Sequence, residues 1–585
     1  MRTRITGGTI VREDGLIHGD VLIEDGRILE LSRHIAAPDA EVVDATGRLV
    51  LPGAVDIHTH MDLDVGIARV IDDFYTGTVA AACGGTTTIV DHMAFGPEGC
   101  SPWHQVRQYH RLADGSAAVD YGFHGVLQHV NDNVLDDMAE IADREGITSF
   151  KVYMTYDHRL DDLDLMRVLA RARQEGILIA AHCENHGIVT ALRERFVAEG
   201  RTQAAWHPVS RPPEAEAEAV NRLLCLAHAA GDAPVYVVHL SSRLGLEAIR
   251  RARAAGQRRF AAETCPQYLL LDEALYADPR EGLKAVMAPP LRRAEDRAAL
   301  WEALAKGELD TVATDHCPFT FARQKQQRAD DFTKCPSGAP GVEERLILLY
   351  SEGVVKGRLT LPRLVEYACA NPARIAGLYP RKGVIAPGSD ADLAILDPER
   401  KWTLTTKRMH GNSDYTCYEG MEITGAVERV LLRGRTVALN GAFTGRRGDG
   451  QYLRRERSSL ISGHESKHIC HRLRRDGLGA VGAIWEKHAA GGSGRQDGHT
   501  ARRRQPTGRG ACATGGDPER CRNRADGPGR HRLRSPRRPP QERHHARRHR
   551  CPAPGRGGPS VHARRPAPRA IRFASAAGGA IPGQL

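Results

Sequence analysis

GAVDIHTH, residues 53–60, is the stretch on which the fold turns. Its apolar opening reads as a buried strand, and His58 and His60 stand at its end. A strand has a side-chain period of two, so both imidazoles face the same way. Similar short runs recur along the chain: TTTIVDH, YGFHGVL, TSFKVYM, GILIAAH, PVYVVHL, RFAAET and DTVATDH. Amphipathic stretches lie between them, such as LMRVLARARQEG and EAEAVNRLLCLAHAAG. In the first, Leu165, Val168, Leu169 and Ala172 follow the helical period. Eight strand-then-helix units with short connections predict an α/β fold, a (β/α)8 TIM-like barrel.

Functional groups in such a barrel gather at the C-terminal ends of the strands. Reading each run to its end yields His58, His60, His182, His239 and Asp315, with Lys151 inside the apolar run SFKVYM. Each has a bland reading. A lone strand-end histidine is more often a hydrogen-bonded structural residue, Lys151 alone can snorkel to the surface, and Asp315 alone can cap a helix. Their joint occurrence, with four separate apolar runs ending in imidazole or carboxylate, outweighs those readings. Four imidazoles, a carboxylate and a buried lysine suit two transition-metal ions with N and O ligands. His92, His124, His129 and His316 read as structural or supporting residues, and Cys183 and Cys317 as packing neighbours. GGTTT (Gly84–Thr88) reads as a turn entering a strand, and the body contains no phosphate loop or G-x-S-x-G elbow.

Strand and hairpin texture flanks the barrel region on both sides (TRITGGTIV and DVLIEDGRILEL early, ADLAILDP and GAVERVLLRGRTVALNG late). It predicts a small β-sandwich domain built from both ends of the body. The expected organisation is 1–52 for its first part, 53–381 for the barrel, 382–456 for its second part and an extension, and 457–585 for a tail. The chain of 585 residues is 41% hydrophobic and 26% charged, which excludes a wholly disordered or collagenous chain. No apolar run suits a spanning helix, and the N-terminus lacks the apolar core of a signal peptide. Thirteen cysteines without CxxC pairs fit free thiols in a reducing cytoplasm.

The net charge of +10 hides two opposite halves. Residues 457–585 carry 28 Lys+Arg against 8 Asp+Glu, whereas residues 1–456 carry 54 against 64. The tail is rich in Arg, Pro, Gly and Ala, with Trp485 and Phe573 as its only large aromatics apart from histidine. Such a composition cannot bury enough apolar surface to offset chain entropy, so the tail is expected to be disordered. It resembles GC-rich DNA translated in the wrong frame or read through a stop. Without aromatics for base stacking, nucleic acid is not expected as a partner. His464-Glu465-Ser466-Lys467-His468 matches H-E-x-x-H, but no apolar periodicity surrounds it, and it reads as chance.

Taken together, PGAVDIHTH, DDFYTGTVAAACGGTTTIVDH, SFKVYMTY, AHCEN, VVHLSS, ETCPQYLLLD, TDHCPF and PGVEERLILLY closely resemble the D-hydantoinase and dihydropyrimidinase family of cyclic amidohydrolases. HTHMDLDVGIARVIDDFYTGT is most similar to the bacterial D-phenylhydantoinase branch. The resemblance spans residues 1 to about 456. It implies a dinuclear zinc site, with His58 and His60 on one ion and His182 and His239 on the other. Lys151 would be carboxylated and bridge both, and Asp315 would complete the first ion's shell. It also implies hydrolysis of 5-monosubstituted hydantoins, or of dihydropyrimidines, to N-carbamoyl amino acids by a metal-bridging hydroxide. Tyr156 would stabilise the oxyanion, Asp315 would carry the proton to the leaving nitrogen, and main chain near Ala288 and Ser337 would hold the amide edge. A cytoplasmic homotetramer acting on a small cyclic amide is the implied setting, with no membrane partner.

Two positions depart from the family pattern. Ala288 stands where the S-P-P-L-R segment has Ser, and Ser337 where the P-N-G segment has Asn. Met61, Leu63, Val65 and Ile67 follow the first strand, as an apolar lid over a ring substituent or as loop core. The rival dihydroorotase reading expects Arg where Asp62 stands. An allantoinase-like activity is an alternative, and so is a non-catalytic scaffold, although the scaffold relatives lose the ligands that are all present here.

Overall fold

The computed structural model describes residues 2–458. The tail and its H-E-x-x-H segment lie outside the described residues, apart from Arg457 and Ser458. Eight parallel strands run in sequential order: Ala54–Thr59, Thr86–His92, Asp120–Val126, Ser149–Tyr153, Leu178–His182, Val235–Val237, Phe260–Thr264 and Thr311–Val312. All eight coincide with the runs picked from the sequence. Most of their residues are buried, because helices cover the sheet outside and side chains fill it inside. The last strand is short, and closure onto the first is made just beyond it. The His60 amide donates to the His316 carbonyl at 2.9 Å, and Thr314 Oγ1 donates to Asp56 Oδ2 at 2.7 Å.

Helices return the chain between strands. Asp162–Glu175 buries Leu165, Val168, Leu169 and Ala172, the stripe expected from spacing. The side chains of Asn131, Asp161, Asn185 and Ser242 accept amide hydrogens at helix starts, satisfying donors that have no partner within the helix. Among the described residues, no helix is long and apolar enough to cross a membrane.

Strands from both ends of the body share one mixed sheet of nine. Leu49–Pro52 lies antiparallel to Leu393–Leu396, which joins the early strands to the late ones. Ile5, Ile10, Val21, Ile23, Val50, Leu393, Ile395 and Leu431 form its core. Below the barrel, residues 450–458 run as a strap. The Leu453 amide donates to the Tyr121 carbonyl at 2.7 Å, and buried Arg455 donates to the Phe123 carbonyl and, at 2.8 Å, to Ser149 Oγ.

Candidate active site

The C-terminal ends of the strands open into a cavity of about 840 Å³. His58, His60, Lys151, His182, His239 and Asp315 all line it, so strand ends far apart in sequence converge at one place. His58 Nε2 and His60 Nε2 lie 3.2 and 3.1 Å from Asp315 Oδ1. Donor atoms of these three residues all fall within 4.8 Å of one another, close enough to share a metal ion. Lys151 Nζ is 3.4 Å from His58 Nε2. The rings of His182 and His239 are 4.6 Å apart, and those of His58 and His239 are 5.4 Å apart.

Two carboxylates set the imidazoles. Glu263, at the end of the seventh strand, bonds His58 Nδ1 at 2.6 Å and accepts the His239 amide at 2.9 Å. Tyr236 donates to its other oxygen. With Nδ1 so held, His58 presents Nε2 to Asp315 and Lys151. Glu184 bonds His182 Nε2 at 2.7 Å and pairs with Arg211. A carboxylate on the far nitrogen fixes a ring's orientation and makes the near nitrogen a better ligand. The sequence reading missed Glu263, Glu184 and Arg211. A carboxylate closing the apolar run RFAAET was the available signal for the first.

Burial and charge act together on these groups. Burial brings Lys151 down to about 8, against the pull of Asp315 and Glu263. It disfavours a charged His58, but Glu263 and Asp315 outweigh it and hold that ring up at about 9. His60 falls to about 4, chiefly through burial. Burial also raises Tyr156 to about 12 despite nearby Arg211, so its hydroxyl remains a donor. Tyr156, His239 and Asp315 have φ of +74°, +42° and +54°. A non-glycine residue in that region costs about 1–3 kcal/mol, strain that the surrounding packing has to sustain.

Tyr156, Ala288 and Ser337 line the same cavity, as do Leu63, Val65 and Ile67. Met61 does not belong with them. It is fully buried, and its sulfur would lie 2.2 Å from a Cβ placed on Gly77, so its side chain is core. Asp62 instead holds the loop, accepting from Arg69 and from the Phe74 amide. His124 bonds the Ile57 carbonyl and Ser149, and His316 bonds Asp72, as supporting residues do. His92 stacks on His124 with ring centres 4.2 Å apart and lies 4.5 Å from His58.

A parallel α/β barrel with histidines, a carboxylate and a buried lysine at its C-terminal mouth defines a hydrolase of the metal-dependent type. The amidohydrolase family model matches residues 49–437, and the chain belongs to that family. It is 48% identical over 457 residues to the D-phenylhydantoinase of Escherichia coli O9:H4 (strain HS), spanning 78% of this chain and 98% of that relative. The crystal structure of dihydropyrimidinase from Brevibacillus agri NCHU1002 superposes with a TM-score of 0.77 at 42% identity, covering 78% of this chain and 100% of that one. The L-hydantoinase (dihydropyrimidinase) of Arthrobacter aurescens superposes at 0.70 with 32% identity, covering 77% and 99%.

Proposed function

We propose that the chain hydrolyses the cyclic amide bond of 5-monosubstituted hydantoins, and of dihydropyrimidines, to give N-carbamoyl amino acids. The observation that carries this reading is the convergence of four histidines, Lys151 and Asp315 on one cavity. The donor set fits a pair of divalent cations, zinc in our reading. His58 and His60 aim ring nitrogens at the oxygen of Asp315, and Glu263 and Glu184 occupy far-side nitrogens of His58 and His182. His58, His60 and Asp315 would hold one ion, and His182 and His239 the other. Lys151 would bridge them as a carbamate, since a protonated amine cannot ligate a metal and a neutral one reacts with CO2. Bound there, the ions would supply Lewis acidity and lower the pKa of water.

The remaining steps fall to this chain's own groups. Main chain at Ala288 and Ser337 holds the amide edge of the ring. Tyr156 donates its hydroxyl hydrogen to the carbonyl oxygen as negative charge develops there. A carboxylate oxygen of Asp315 takes the proton from the attacking water and returns it to the leaving ring nitrogen. Leu63, Val65 and Ile67 offer the ring substituent an apolar wall.

Metal analysis, combined with turnover of 5-phenylhydantoin, dihydrouracil and allantoin, tests the reading. Zinc near two per chain and fastest opening of 5-phenylhydantoin are expected. Preference for allantoin would move the substrate class, and a metal-free chain inactive on all three would end the hydrolase reading. An Asp315→Ala variant with full turnover would remove the proton-transfer role. The homotetramer belongs to the same proposal and is checked by light scattering. So does a reducing cytoplasmic location, which the nine free cysteines among the described residues favour.

A further inference from the structure

Beside Tyr156 a side cleft of about 650 Å³ adjoins the catalytic cavity. Tyr156, Asp157, Arg193 and Thr333 line both spaces. One wall of the cleft is a face of helix His186–Ala198, where Val189, Thr190, Arg193 and Val197 follow at helical spacing. Asn185 caps that helix by accepting the Ile188 amide hydrogen at 3.0 Å. Arg159 holds the corner, since its amide and its guanidinium both donate to the Tyr156 carbonyl, at 3.4 and 3.1 Å.

The other guanidiniums on the catalytic cavity are engaged. Arg69 pairs with Asp62 at 2.9 Å, and Arg211 pairs with Glu184 and lies over the Tyr156 ring at 5.3 Å. Arg193 makes no ion pair or hydrogen bond among the described residues, although Asp157 and Glu194 line the cleft with it. The bland reading is a solvated arginine on a helix surface. Arg195, two positions on, is of that kind, exposed and 3.9 Å from Glu199. Arg193 differs in being half-buried against the cavity that holds the proposed ligands. Burial and the like charge of Arg211 disfavour its charged form. A cation in that position gains more from an incoming anion than one already paired or fully hydrated.

Ring opening creates such an anion. The oxygen of water joins the ring carbonyl carbon, the C–N bond breaks, the nitrogen takes a proton, and the new carboxyl group ionises at neutral pH. A neutral ring thus leaves as a carboxylate, formed beside Tyr156. We propose that Arg193 receives the carboxylate of the N-carbamoyl amino acid and draws the product from the reacting centre towards the side cleft. The proposal rests on the hydrolase reading above. A planar guanidinium matches both carboxylate oxygens, which a neutral cyclic amide does not offer.

The test titrates the zinc-loaded full chain in a calorimeter with N-carbamoylphenylglycine and with its neutral carboxamide. Arg193→Gln is expected to weaken binding of the acid by about tenfold and to leave binding of the carboxamide unchanged. Arg195→Gln, on the outer face of the same helix, is expected to bind both as the unaltered chain does. The proposal is overturned if Arg193→Gln binds the acid as tightly as the unaltered chain, if it loses acid and carboxamide equally, or if the unaltered chain does not bind the acid. Turnover of 5-phenylhydantoin is measured in parallel and bears on the hydrolase reading alone. Its absence ends that reading, whereas the binding outcomes decide the role of Arg193.

Discussion

Glu263 uses both carboxylate oxygens inside the barrel, one on His58 and the His239 amide, the other on Tyr236. Its replacement by Gln keeps the shape and removes the charge that orients His58. Zinc affinity is expected to fall about 10–100-fold in a chelator competition, with the circular dichroism unchanged. Tyr156→Phe removes one donor to the reacting carbonyl. At saturating 5-phenylhydantoin, kcat should fall about 10²–10³-fold with KM nearly constant; an equal rise in KM would instead mark Tyr156 as a ground-state binder. The proposed histidine and aspartate ligands were legible because a strand's end is visible in one dimension, where an apolar run gives way to polar residues, and Lys151 because a lysine stands out inside such a run. Partnership was not. Glu263 and His58 are 205 residues apart, and nothing local pairs them. The choice between lid and loop core for Met61 was open for a related reason, since a sequence does not show where a strand's alternation yields to the packing of the loop that follows; the structure makes it core.

Elements that turn a corner in the fold carry their own chemistry. Glu344 is buried beside Glu343 and bonds Thr416 at 2.9 Å. Burial, reinforced by Glu343, raises its carboxyl from 4.5 to about 7. The folded chain therefore holds a proton that the unfolded chain releases. This contribution to stability is full below 4.5 and is lost as the pH rises through 7. The melting temperature should decline over that interval, and Glu344→Gln should flatten the decline; an unchanged slope would show that Glu344 does not cause it. All eight barrel strands could be read from pattern, because a strand covered on both sides is an unbroken apolar run. Closure was hidden, since Thr311–Val312 is only two residues long and the joint rests on Thr314 meeting Asp56. Pairing of Leu49–Pro52 with Leu393–Leu396 was equally silent, because neither segment carries a local sign of its partner.

Over the whole molecule, buried cations tie early chain to late chain. Lys382 lies 2.6 Å from both Asp120 and Asp392 and 3.0 Å from Asp390, which links the third barrel strand to the segment entering the mixed sheet. Lys382→Met strands that carboxylate cluster and should lower unfolding stability in urea by about 3–5 kcal/mol; a loss under 1 kcal/mol would mean the cluster is solvated or shares a proton. Arg455 plays a different part. From the strap it reaches Ser149, whose hydroxyl bonds His124 Nδ1 at 2.6 Å, and His124 stacks on His92 beneath His58. The barrel axis thus holds a column of rings standing on a guanidinium footing. Arg455→Met is expected to loosen zinc at the opposite end of the barrel, read by chelator competition, although no mouth residue changes. A change in how the strap seats Arg455 therefore has a mechanical route, ring by ring, to His58.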